Sequence, residues 1–232
     1  MIAKTGEDYI EGQVILIDKP LEWTSFQAVN KIRWLIRKSF GIKKIKVGHA
    51  GTLDPLATGL LIICSGKFTK KIDTFQAQEK EYTGTFTLGA TTPSYDLETA
   101  IDKTFDFSEI TSEEIQKATK RFLGDIQQQP PVFSALKKDG KRLYEYARNG
   151  ESVEIPFRTI NIAEFEITNI NLPNVDFRVV CSKGTYIRSL ANDFGKALNN
   201  GAHLSALRRT KIGTYSVQNA VGMEAFESSL TS

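Results

Sequence analysis

The run V-G-H-A-G-T-L-D-P-L-A-T-G-L-L-I-I-C-S-G, from Val47 to Gly66, limits this chain more than any other stretch. Asp54 is the only carboxylate between Glu22 and Asp73. It sits among glycines that allow close backbone approach, and an apolar segment follows it. Pro55 biases Asp54 toward an extended or turn conformation. Two readings of the acid remain open from spacing. Asp-Pro-Leu-Ala is a plausible helix start, with Asp54 as N-cap and Pro55 at the first helical position. Alternatively, Asp54 is a reactive group on a constrained loop. Leu60 to Cys64 reads as a short buried strand that anchors this loop.

With 232 residues, 41% of them hydrophobic and 25% charged, the chain suits one large domain, or two small ones, with a full core. A single domain over residues 1–232 is expected. No apolar run reaches the roughly 18 residues of a membrane span. The first ten residues lack an apolar signal core, so the expected address is cytoplasmic. Cys64 and Cys181 lie in apolar strand-like runs and read as reduced core residues. With only His49 and His203 besides, no metal-ligand spacing appears and no metal is expected. Gly66-Lys67 fails the P-loop pattern, because the upstream glycine spacing is wrong and Phe68 replaces the hydroxyl residue.

The net charge is only +3, but it is unevenly spread. Seven basic residues and no acid lie between Lys31 and Lys46, whereas seven acids face a lone Lys103 between Asp96 and Glu114. One surface suited to phosphates and another turned away from them would give this pattern; so would two solvated faces.

Gln13 to Ile17 reads as a strand. Thr24 or Ser25 can cap a helix whose apolar stripe runs through Phe26, Val29, Ile32, Leu35 and Ile36, and which ends at Gly41. Tyr82, Gly84, Phe86 and Leu88 alternate with threonines, as in a half-buried strand. A capping box at Thr111 to Glu114 opens another helix. Residues 127–151 mix bases with aromatics, namely Lys137, Lys138, Lys141, Arg142, Tyr144, Tyr146 and Arg148. This segment is either an RNA contact or a solvated loop with a half-buried helix. Ile160 to Ile170 and Val175 to Cys181 read as paired strands. Ile187, Leu190, Ala191, Phe194 and Leu198 form a helical stripe. Arg188 falls in the first turn of that helix, where the macrodipole disfavours a cation, so a compensating anion is expected.

The string G-H-A-G-T-L-D-P-L-A-T-G-L-L resembles the signature of the TruB family of tRNA pseudouridine synthases. The resemblance extends through Lys19-Pro20, Lys80-Glu81-Tyr82, the segment S-A-L-K-K-D-G-K-R-L-Y-E-Y-A-R-N-G, C-S-K-G-T-Y-I-R and G-A-H-L-S-A-L-R-R, covering about Gln13 to Val221. It implies an α+β pseudouridine synthase fold: a mixed, largely antiparallel central sheet flanked by helices, with an active-site cleft across it. The implied activity is isomerisation of uridine-55 in the T-loop of tRNA, with no cofactor. Asp54 would be the catalytic nucleophile, Arg188 its ion-pair partner, and Tyr82 the residue that stacks on the base or relays a proton. His49, Tyr186 and Leu207 would bind the substrate. Lys137, Lys138, Lys141, Arg142, Arg148, Arg208 and Arg209 would meet the RNA backbone, the first five within an RNA-clamping insertion at about 127–151. The family's Lys-Pro motif implies that Lys19 braces the catalytic loop. The family's acidic turn pattern has Pro93 at its first acid, while Asp96 matches its second. Many bacterial members carry a C-terminal PUA domain, and none is expected here. The expected partner is the T-arm stem-loop of tRNA, bound by a monomer.

Turning uridine into pseudouridine breaks the C1′–N1 bond and makes a C1′–C5 bond, after the base leaves its stack. Asp54 could attack the sugar or assist an elimination. An RNA chaperone would use the same basic segments without needing Asp54, and a synthase for another uridine would use all of them.

Overall fold

The helix between Thr24 and Gly41 is specified at both ends by its sequence. Thr24 Oγ1 accepts from the Gln27 N–H at 3.0 Å, and Gln27 Oε1 accepts from the Thr24 N–H at 2.7 Å. This reciprocal capping box satisfies donors that the first turn leaves orphaned. At the other end Gly41 takes a left-handed conformation (φ 62°) and its N–H reaches Arg37 O. Between the caps, Ala28, Val29, Ile32, Leu35 and Ile36 are buried on one face.

The computed structural model describes residues 5–134, 136–138, 140–149, 151 and 153–230. In chain order the main elements are β1 (Val14–Lys19), α1 (Ser25–Phe40), β2 (Val47–Ala50), β3 (Ala57–Ser65), β4 (Lys80–Leu88), α2 (Ser112–Thr119), β5 (Gly124–Gln128), β6 (Arg158–Asn171), β7 (Asn174–Cys181), α3 (Ile187–Ala197) and β8 (Ala202–Ile212). The chain forms two compact units, residues 1–82 with 207–232, and residues 83–206.

In the first unit β3 is the central strand. β1 runs antiparallel along it from Val14 opposite Cys64 to Lys19 opposite Gly59. Because β1 occupies one whole edge, the opposite edge must serve two other strands. β2 pairs antiparallel with residues 62–65, and β8 pairs parallel with residues 57–59. The loop from Gly51 to Leu56 therefore lies between two paired segments of one edge. Seven of the nine β3 residues are buried in succession from Gly59 to Ser65, which explains an apolar run without alternation. Ile15, Ile17, Leu61 and Ile63 pack with the buried face of α1 and with Tyr9 and Phe226.

At Gly59 the backbones of β3 and β8 approach closely. The glycine's φ is 102°, and a Cβ there would lie 2.3 Å from Arg209 O and 2.8 Å from Arg209 N. Backbone cannot move aside as a side chain can. Gly59→Ala is expected to cost at least about 3 kcal/mol, combining left-handed strain with loss of strand pairing. A urea midpoint equal to that of the parent protein would refute this account of the position.

In the second unit β4, β7, β6 and β5 are successive neighbours, with β6 antiparallel to both β7 and β5. Its core is aromatic. Phe86 stacks on Phe177 with centroids 4.1 Å apart, and Phe165 meets both Phe177 and Phe194. Strands and helices are mixed and most strand pairs among the described residues are antiparallel, in agreement with the α+β class expected from the resemblance.

Candidate active site

No helix follows Asp54. The backbone bends from Gly51 to Leu56 and enters β3 at Ala57, so the N-cap reading of the acid does not hold. The apolar run that follows has no polar face to give a surface helix, and pairing on both edges of β3 prevails over the local Asp-Pro signal. Gly51 has a φ of 92°, which turns the chain out of β2 without steric cost.

This bend is tied down by hydrogen bonds on both sides of the acid. Ser25, 2% exposed, donates through Oγ to Leu53 O at 3.1 Å and accepts from the Leu53 N–H at 2.8 Å. The Glu22 N–H donates to Pro55 O at 2.8 Å, and the Ala57 N–H to Asp54 O at 3.1 Å. Asp54 itself is half-buried. Lys19, fully buried, places Nζ 2.8 Å from Pro20 O, 2.6 Å from Trp23 O and 3.5 Å from Pro55 O. Burial pushes its pKa down to about 8; the negative charge of Asp54 opposes that shift and the positive charge of Arg209 adds to it. Three carbonyls around the ammonium explain how a lysine can be fully enclosed.

β8 brings the next residues alongside. Leu207 pairs with Ala57, three residues past the acid, and is half-buried. Arg209 is not offered to solvent as the backbone contact expected from the resemblance, whereas the Arg208 side chain keeps 40% of its surface exposed. Arg208 makes a two-pronged pair with Asp18, Nη1 to Oδ1 at 3.0 Å and Nη2 to Oδ2 at 2.6 Å. Arg209, only 1% exposed, donates through Nε to Leu60 O at 2.8 Å and through Nη2 to Gly51 O at 3.0 Å. A guanidinium replaces water as the partner of two carbonyls beside the bend, so Arg209 serves the fold's interior. Tyr82 is 9% exposed at the start of β4. Its neighbour Glu81 accepts from Thr210 Oγ1 of β8 at 2.7 Å and pairs with Lys211 at 3.1 Å. His49 stands in β2 opposite Ile63.

The His49 pKa lies below its ordinary 6.5. Burial is the main cause, the nearby Arg209 cation adds to it, and a hydrogen bond with the Gly51 backbone opposes it. The unfolded chain therefore binds the proton more readily. Stability contributed by neutral His49 is full above pH 6.5 and falls as the pH drops from 6.5 to the folded value. The imidazole resonances are expected to titrate with a midpoint below 6.5, and His49→Gln should flatten that part of the stability profile. A midpoint above 6.5 would contradict this.

In the second unit, Tyr186 and Arg188 share the N-terminal end of α3. Gln128 fixes the entry: its Oε1 accepts from the Tyr186 N–H at 2.8 Å and its Nε2 donates to Tyr186 O at 3.1 Å. The Arg158 guanidinium lies 5.4 Å from the centre of the Tyr186 ring. Arg188 is 4% exposed. Its Nη1 donates to Phe133 O at 2.8 Å, and its Nε lies 3.6 Å from Asp96 Oδ2. Asp96 is thus one anion that offsets a cation at the wrong end of the helix dipole. In the expected insertion, Lys137–Lys138 and Lys141–Arg142 form a hairpin and Leu143–Arg148 a short helix. Lys141 pairs with Glu151 at 2.8 Å and lies over the Tyr146 ring. The side chains of Lys137, Lys138, Arg142 and Arg148 lie outside the described residues.

The first unit thus brings Asp54, His49, Leu207 and Tyr82 onto one bend and the strands β2, β8 and β4. The second brings Tyr186 and Arg188 onto one helix end. Sequence reasoning overlooked Ser25 as a brace and the burial of Arg209. The pairing of Lys19 with a proline-bounded turn was the one available signal for its enclosure. Among the described residues no group of three or more His, Cys, Asp or Glu could hold a metal ion. No described helix is long and apolar enough to cross a membrane. The chemistry available is that of a carboxylate in a fixed bend, with Leu207 paired three residues along the chain and a buried lysine that the carboxylate's charge influences.

Residues 37–187 match the family described as TruB family pseudouridylate synthase (N terminal domain). Residues 188–232 match the tRNA pseudouridylate synthase B C-terminal domain. A tRNA pseudouridine synthase B of Flavobacterium johnsoniae is 66% identical over 97% of this chain and 99% of its own length. That of Phocaeicola vulgatus is 57% identical over 94% of this chain and 93% of its own. Among solved structures, a chain of a Cbf5-Nop10-Gar1 complex is 30% identical with a TM-score of 0.69, covering 93% of this chain and 53% of that one. A chain from an H/ACA RNP bound to a substrate RNA containing 2′-deoxyuridine is 28% identical with a TM-score of 0.67, covering 93% and 52%. This chain spans about half the length of those two solved chains.

Proposed function

Because the chain belongs to the TruB family of pseudouridylate synthases, we propose that it isomerises uridine-55 of the tRNA T-loop to pseudouridine. It is an isomerase that acts on tRNA, and U55 is the site implied by the family signature around Asp54. One observation carries the assignment of roles: the half-buried Asp54 stands in a bend with no helix to cap, braced by Ser25 and Lys19, with Leu207 paired three residues away.

In this reading the target nucleotide is extruded and its base enters beside Tyr82 and Leu207, whose aromatic and apolar faces replace the lost stacking. Asp54 acts at C1′, as nucleophile or as a charge that supports elimination, while the C1′–N1 bond breaks. The base turns, C5 bonds to C1′, and the C5 proton leaves as N1 gains one. Tyr82 relays that proton or holds the base while it moves. Arg188 is the cation that the resemblance assigns to offset the charge of Asp54. His49 and Tyr186 position the loop nucleotides, and the insertion with Lys141 grips the RNA backbone. The T-arm stem-loop is the recognised element, the protein works as a monomer, and its site of action is the cytoplasm.

The test is release of tritium from tRNA labelled at uridine C5. The protein is expected to release label from a transcript with uridine-55 and none from one with cytidine there. No release at any enzyme excess would overturn the catalytic reading, and release from the cytidine-55 transcript would move the target elsewhere.

A further inference from the structure

The run of basic residues before β2 does not form a uniformly solvated face. Arg33, Arg37, Lys43, Lys44 and Lys46 line an open cavity of about 500 Å³ in the first unit, together with Val47 and Gly48 of β2 and with Thr69 and Ile72. Arg33 is half-buried and held in place: Nη2 donates to Val47 O at 3.0 Å and Nη1 to Asn30 Oδ1 at 2.9 Å. Arg37 Nε reaches Ile42 O at 3.4 Å. Both partners of Arg33 and that of Arg37 are neutral. Among the described residues none of the five cations is ion-paired, whereas Lys31, Lys67, Lys141, Arg178, Arg188, Lys196, Arg208 and Lys211 all have a carboxylate. Five unpaired positive charges exceed the net +3 of the whole chain, so the rest sums to 3 − 5 = −2. Such a concentration costs self-repulsion unless an anion relieves it.

We propose that this cavity is a phosphate-binding subsite for the backbone of the RNA substrate, separate from the Asp54 bend; the proposal rests on the tRNA reading above. Arg33, fixed by carbonyls, keeps N–H groups that fit phosphate oxygens, and the three lysines on the rim, all exposed, add charge without geometric demand. The cavity is coupled to the reacting centre by strand geometry. Val47 and Gly48 are six or seven residues before Asp54, at most about 23 Å of extended chain. A phosphate seated here therefore fixes the RNA relative to the bend through β2. The exposed indole of Trp34 lies on the next stripe of α1, with Lys31 and Lys38 at 5.0 and 4.8 Å from its ring, so an aromatic surface adjoins the phosphate site.

The deciding experiment compares K43E/K44E/K46E with K103E/K117E/K120E, which makes the same charge change on exposed lysines elsewhere. Tritium release gives KM and kcat on a tRNA transcript, and filter binding gives Kd from low to moderate salt. The first variant is expected to raise KM at least about tenfold with kcat within about twofold. Its log Kd against log salt should flatten by roughly 2, since each lost phosphate contact removes about 0.7 to 0.9 from the slope. The control variant should shift neither by as much as half. An unchanged KM and slope in the first variant, or an equal shift in the control, overturns the subsite. A protein that binds with the expected slopes but never releases tritium would remove the catalytic reading and leave the subsite standing.

Discussion

Asp54→Asn is expected to lower tritium release by about 10⁴-fold, the scale on which loss of a reacting or charge-stabilising carboxylate acts. The asparagine keeps the shape of the side chain and leaves the Ser25–Leu53 and Glu22–Pro55 bonds untouched, so the bend survives. Binding of the tRNA transcript is expected within about threefold of the parent, because few RNA contacts depend on this one charge. The two readouts separate an enzyme from an RNA chaperone. A chaperone would keep full RNA-folding activity in this variant and would never have released tritium. Turnover within tenfold of the parent would remove Asp54 from the chemistry.

Arg209→Met is expected to destabilise the fold by about 3 kcal/mol. The guanidinium satisfies Leu60 O and Gly51 O, and hydrogen bonds from charged donors contribute about 1.5 to 3 kcal/mol each. Relief from burying a charge offsets part of that loss. The same variant should raise the His49 pKa toward 6.5, since the Arg209 cation is one of the causes that lower it. A purely structural filler would leave the imidazole midpoint where it was. A urea midpoint lowered with unchanged slope, together with the shifted imidazole, is the expected pair of results. If the midpoint holds, Leu60 O and Gly51 O have found other partners.

Elements whose signals are local were legible. Thr24, Gln27 and Gly41 frame α1 as their types predict, and the stripe Ile187, Leu190, Ala191, Phe194 lies buried in α3. The paired strands β6 and β7 match their alternation. β8 was not legible as a strand. His203, Ser205, Leu207 and Arg209 share one face, and nothing in that series alternates apolar with polar, because a buried arginine occupies what the pattern reserves for an aliphatic residue. Lys19 misleads similarly: its charge predicts solvent, and three carbonyls brought by a turn decide otherwise. Asp54 followed a rule of helix starts that long-range pairing of β3 overrode. The braces behind the Asp54 motif, from Ser25, Lys19 and Arg209, belong to tertiary structure alone.

The clamp between Arg209 and Gly51 joins positions 158 residues apart, and residues 83–206 make up the whole of the other unit. During synthesis the bend emerges early, yet its guanidinium anchor arrives only after that entire intervening unit has left the ribosome. Closing so long a loop costs conformational entropy before the contact is gained. The order of synthesis therefore separates two sets of braces: Ser25 and Lys19 are made before the reactive loop, whereas the Arg209 clamp is added only when the closing strand is delivered.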